Sequence, residues 1–275
     1  MNMNMNELKK YMHPMEKEIT EVLDGKLISR EYQAQLIEMY NFFELETLMP
    51  DLIGKSMEIN EQQMPELYKI FKELAGELEM PVPSVYIFEG RYCDVNAEGF
   101  EKPWIQVSTK TLEDFETEEL KYAIARQLVH IKLGHMKYEI LCEQFSKSIS
   151  IASQLGGSLV NFVPGASVAS NETFEVYAAH FKLVASQWSR ISEYTADRCA
   201  LVLCNWDIKN AVSAIKKQIL NSRKLADEMN LSSYLKQADS ILALTKPVAK
   251  YSIMDEQYPY GPFRIKELIA FASTN

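Results

Sequence analysis

At 275 residues, 47% of them apolar, the chain can bury a sizeable core, either as one large domain or as a domain with a helical extension. Its net charge of −9 and isoelectric point near 5.1 exclude nucleic acid or an anionic membrane surface as a main partner, and no basic cluster offsets them. The four cysteines, Cys93, Cys142, Cys199 and Cys204, form no CxxC pair and no disulfide framework, so reduced thiols in a cytoplasmic protein are expected.

In chain order, the opening MNMNMNELKK has no apolar run or cleavage pattern, so no signal peptide is expected. Glu7 to Leu23 reads as a helix broken at His13-Pro14 and stopped by Asp24-Gly25. Ser29 caps a second helix carrying Leu36, Ile37, Tyr40, Phe43 and Leu45, which should end before Pro50. Asn60 to Leu78 holds a further helix opened by Met64-Pro65-Glu66. Met80-Pro81-Val82-Pro83 forces an extended entry into a strand at Val85 to Phe88. Asp94 to Ala97 and Trp104 to Ser108 read as two more strands.

From Thr117 to Tyr138, Leu120, Ala123, Ile124, Leu128 and Ile131 recur at helical spacing, with Thr117 as the expected N-cap. This helix should run on to about Gln144. Residues 148–171 then carry no charge for 24 positions, a length that suits a bilayer. Six serines, Gly156-Gly157 and Pro164-Gly165 make the run too polar and broken for a span. A buried helical hairpin is expected there, with peripheral membrane contact as the lesser alternative. Glu172 to Leu203 reads as a long helix, Trp206-Asp207 caps the next, and Leu231 to Leu244 forms another. Tyr258-Pro259, Arg264 and Leu268 close the chain.

Positions 126 and 130 share a helix face. Zinc peptidases of the HExxH type place two histidines at that spacing, with a glutamate beside the first as general base. The pentad here is Arg126-Gln127-Leu128-Val129-His130. Its surroundings, YAIARQLVHIKLGH, resemble the zinc helix of the family that holds the heat-shock peptidase HtpX and the CAAX prenyl endopeptidase. Ala125, Leu128, His130, Ile131, Lys132, Gly134 and His135 carry the match. A second motif, Ser192-Glu193-Tyr194-Thr195-Ala196-Asp197, resembles the family's SExxAD helix. The opening His13-Pro14-Met15-Glu16 and the Pro65-Glu66-Leu67 stretch are similar too, and Tyr258 stands where the family usually has a histidine.

The resemblance implies an α+β fold, mostly helical and zincin-like, with a small mixed sheet beside the HExxH-type helix. Residues 1–80 would form a helical region packed on a peptidase-like core at 81–275. It makes His130 and Glu193 relict metal ligands, Arg126 the replaced ligand and Gln127 the replaced general base. Asp197 would lie in the second shell, able to orient a ligand histidine. Asn96 and Ala97 would be the strand edge on which a peptide adds by main-chain hydrogen bonds.

Catalytic zinc needs three protein ligands and a water. Guanidinium has no lone pair to give. A monovalent cation ~4 Å from a divalent one repels it by about 8 kcal/mol at an effective dielectric near 20. Gln127 cannot take a proton at neutral pH, so it cannot activate water. On an unbroken helix His135 lies about 140° round from His130 and cannot replace the missing ligand. The expectation is a pseudopeptidase without zinc, binding a peptide or protein partner, with Arg126 paired to Glu193 and Asp197 in place of the metal. Two alternatives stand beside it: an active zinc endopeptidase with altered coordination, and a metal-free enzyme using Arg126 as an anion site.

Overall fold

The computed structural model describes residues 3–24, 27–154 and 171–274. Fifteen helices and four strands lie among them: α1 (Met5–Tyr11), α2 (Glu16–Leu23), α3 (Arg30–Met39), α4 (Glu46–Lys55), β1 (Ser56–Ile59), α5 (Pro65–Glu77), β2 (Ser84–Phe88), β3 (Val95–Glu98), β4 (Trp104–Ser108), α6 (Thr109–Asp114), α7 (Thr117–Leu133), α8 (His135–Gln154), α9 (Asn171–Leu203), α10 (Ile208–Leu220), α11 (Arg223–Glu228), α12 (Leu231–Leu235), α13 (Gln237–Leu242), α14 (Pro247–Asp255) and α15 (Gly261–Thr274). The architecture is α+β and mostly helical, as the family resemblance implies. A wider helical turn, Tyr40–Leu45, joins α3 to α4, so the backbone stays helical through Pro50. Pro50 therefore does not end the second helical segment, contrary to expectation. Helical backbone runs through position 50 from the preceding turn, and the proline costs the segment one i→i−4 hydrogen bond without ending it.

The strands form one mixed sheet in the order β1-β2-β4-β3. Its β2–β4 pair is parallel and the outer pairs are antiparallel. β1, whose only buried residue is Ile59, carries too little alternation to be read from sequence. Gly99 turns β3 into β4 at φ +78°, and a Cβ there would meet the Trp104 ring. β3 is an edge strand, and α7 packs against it.

α7 is the central element, buried on every side from Tyr122 to His130. Its N-cap is Glu116, one residue before the expected Thr117, and Glu119 closes the capping box from inside the first turn. α7 also stops earlier than expected. Gly134 takes a left-handed conformation, φ +75°, and ends it, and α8 starts at His135.

Two apolar cores result. The larger unites the sheet, α5, α7, α10, α15 and the Ala196–Leu203 end of α9. The smaller unites α2, α3, α8 and the Phe181–Ile191 part of α9. The α7–α8 break and Glu193 fall at the seam between them. The expected hairpin at 148–171 lies largely outside the described residues. Among the described residues, no helix is long and apolar enough to cross a membrane.

Candidate relict metal centre

α7 and α9 place their motifs face to face. Arg126 is 3% exposed, so its charge needs internal partners. Its Nη2 donates to Glu193 Oε2, and its Nε lies 2.5 Å from Asp197 Oδ1, an ion-pair contact without hydrogen-bond alignment. Asp197 is fully buried and gathers more donors. Arg264 of α15 gives it Nε at 2.6 Å and Nη2 at 2.8 Å, and Tyr122 gives its hydroxyl at 2.8 Å. Burial alone would raise the Asp197 pKa, but Arg264 and Arg126 hold it below the usual carboxylate range. Asp197 therefore orients two arginines and a tyrosine, not a histidine, which corrects the role expected for it. Arg264 and Tyr122 were not legible as its partners, because that contact depends on α15 folding back across α9.

His130 is 2% exposed. Burial, with the Arg126 and Arg264 charges nearby, keeps its pKa well below the ordinary imidazole value, so it is neutral. His130 Nε2 faces Glu193 Oε1 at 3.5 Å and has no hydrogen-bond partner. His135 does not follow on an unbroken helix from His130 as expected. With α7 ended at Gly134, the 140° argument no longer applies, and His135 Nδ1 comes within 2.9 Å of His130 Nδ1. His135 Nε2 in turn meets Glu16 Oε1 of α2 at 2.9 Å. Glu139, one turn into α8, lies 3.9 Å from His130 Nδ1. Burial and the Glu193 charge push its pKa up to about 7. A cavity of about 800 Å³ opens between α8 and α9, lined in part by Glu139, Cys142, Trp188 and Tyr258.

Gln127 reaches the sheet instead of the cleft centre. Its Oε1 accepts a hydrogen bond from the Ala97 N–H of β3 at 3.0 Å. That N–H belongs to the free edge of the strand, so Gln127 already occupies one of the main-chain donors an added strand would use. Asn96 is half-buried on the same strand, opposite Gln106 of β4.

Two zinc ligands at ~2.0–2.2 Å in a tetrahedral site stand ~3.4 Å apart. His130 Nε2 and Glu193 Oε1 match that spacing, and the unpaired Nε2 suits a ligand. The remaining position holds the Arg126 guanidinium, which has no lone pair and already binds Glu193. Among the described residues, no group of three or more His, Cys, Asp or Glu side chains is arranged to hold a metal ion. The donor set is one short of a catalytic zinc centre.

Comparison with known proteins places this architecture. A sequence profile described as Peptidase family M48 matches residues 61–251. The chain belongs to Peptidase family M48. Among family M48 proteins it is similar to the plastoglobule-localized metallopeptidase 48 of Arabidopsis thaliana, with 24% identity over 84% of this chain and 61% of that protein. A protease HtpX homologue of Thermodesulfovibrio yellowstonii is 30% identical over 36% of each chain. A Streptococcus gordonii homologue is 27% identical over 38% of this chain and 35% of its own. The chain thus spans under two thirds of the first relative and about a third of the other two. The crystal structure of S. mikatae Ste24p aligns at a TM-score of 0.46 and 14% identity, covering 97% of this chain and 68% of that one. The M48 profile begins at residue 61, so α1 to α4, including Glu16, lie outside the matched segment.

Proposed function

We propose that this M48 chain is a pseudopeptidase: it keeps the frame of a zinc peptidase, has lost hydrolysis, and binds a peptide or protein partner along the β3–α7 cleft. The observation that carries the reading is the Arg126 guanidinium, seated between the Glu193 and Asp197 carboxylates where the family pattern calls for a ligand imidazole. It supplies positive charge to both acids and so performs the cross-linking of α7 to α9 that a metal would perform. Gln127, a neutral amide spent on Ala97, supports the same reading, since it cannot serve as a general base. A partner adding to β3 would exchange the Gln127 contact for its own carbonyl. The saturation of Arg126 by two carboxylates speaks against its use as an anion site.

One specific observation favours the alternative of an active zinc endopeptidase with altered coordination: the spacing and orphaned lone pair of His130 Nε2 beside Glu193. A casein assay with the protein purified without chelator separates the two. The proposal expects no chelator-sensitive turnover, and turnover abolished by chelator and restored by zinc would overturn it.

A further inference from the structure

The His130 ring is wired to the N-terminal helices by a chain of hydrogen bonds whose direction can be worked out from its two ends. The His13 backbone N–H can only donate, and it donates to Thr195 Oγ1 at 2.9 Å. The Thr195 hydroxyl keeps its own proton and donates it to Glu16 Oε2. Glu16 is 3% exposed and accepts on that oxygen, while its Oε1 faces His135 Nε2 at 2.9 Å. A carboxylate only accepts, so His135 Nε2 must carry a proton. The near end sets the last step: His130 Nε2 has no aligned acceptor for a proton, so the single proton of the His130 ring sits on Nδ1 and is donated to His135 Nδ1, 2.9 Å away. The other ring nitrogen of His130 is left with a lone pair.

The opposite arrangement is worse. A proton on His130 Nε2 would be buried, and the geometry gives it no aligned acceptor, Glu193 Oε1 being 3.5 Å off-line. An orphaned buried N–H is rarer and costlier than an unused lone pair.

We infer that Glu16 and His135 are positioning residues: acting from α2 through α8, they hold His130 as the Nδ1–H tautomer and present its Nε2 lone pair to the gap beside Glu193. Neither has been given this part by the M48 match, and Glu16 lies outside the matched segment. The relay also explains why α2 and the α7–α8 break meet at one point. It depends on neither hydrolysis nor its loss, so it can fail while the pseudopeptidase reading stands, and the reverse.

The test is ring-nitrogen NMR of protein with labelled histidine, of which there are four in the chain, His13, His130, His135 and His180. Assignment comes from His130→Gln and His135→Gln spectra. The expected result in the native chain is an unprotonated Nε2 on His130 and a protonated Nε2 on His135. In Glu16→Gln, whose amide can donate, the His135 and His130 tautomers should lose this single setting and shift together. A proton on His130 Nε2 in the native chain overturns the inference, and so does a doubly protonated His135. Unchanged tautomers in a folded Glu16→Gln variant overturn it as well. Should that variant not fold, the native spectrum decides alone.

Discussion

Arg126 carries a permanent charge with only 4% of its side chain exposed, against a Glu193 side chain at 13% and an Asp197 at 0%. Such a cluster need not stabilise relative to well-packed apolar groups, but removing one partner strands the other. Glu193→Ala should therefore cost about 3–5 kcal/mol in chemical denaturation. A loss within experimental error would mean that Arg126 finds water or another acid and that the pair holds nothing together. Asp197 adds a pH dependence. Its folded pKa is depressed below the ordinary aspartate value of 3.8. The stabilisation is therefore present above the unfolded pKa and is lost as pH falls from about 4 toward the depressed folded value. Asp197→Asn should flatten the acid limb of the stability profile, and an unaltered limb would show that Arg264 and Arg126 do not act through this carboxylate. Glu139 runs the other way. Its raised pKa, about 7, costs stability as pH rises from its unfolded value through neutrality, softened because 40% of the side chain meets water.

At the scale of elements, α7 joins the sheet to the cleft through one side chain. Gln127→Ala would leave the buried Ala97 N–H without its acceptor, at about 1–3 kcal/mol, and amide exchange at Ala97 should quicken. Exchange as slow as in the native chain would mean that another group holds this edge. The elements also show what a sequence discloses. α7 and α9 were legible because their apolar residues repeat at helical steps. β2 and β4 were legible because prolines and a polar turn frame them. The break at Gly134 was not, since a lone glycine inside an apolar repeat reads equally as interior or C-cap, and only its φ of +75° decides. That single ambiguity hid the His130–His135 contact. Residues 126–130 and 192–197 disclosed the ends of the site. Tyr122, Arg264 and Glu16 stayed hidden because their roles depend on packing between distant helices, which no local pattern records.

Across the described residues, two apolar cores share one polar seam. The acids Glu16, Glu193 and Asp197 meet His135, Arg126 and Arg264. A metal centre would have set the same helices around a divalent ion. Here the guanidinium does so with a fixed, pH-independent charge, and the frame remains close enough to the zinc arrangement that one residue separates the two. The most direct test is the zinc content of the native protein, purified without chelator, measured beside Arg126→His. The account predicts far less than one zinc per native chain and a rise toward one per chain when the imidazole is supplied. Stoichiometric zinc in the native protein, bound by His130 and Glu193 with Arg126 turned away, would contradict it.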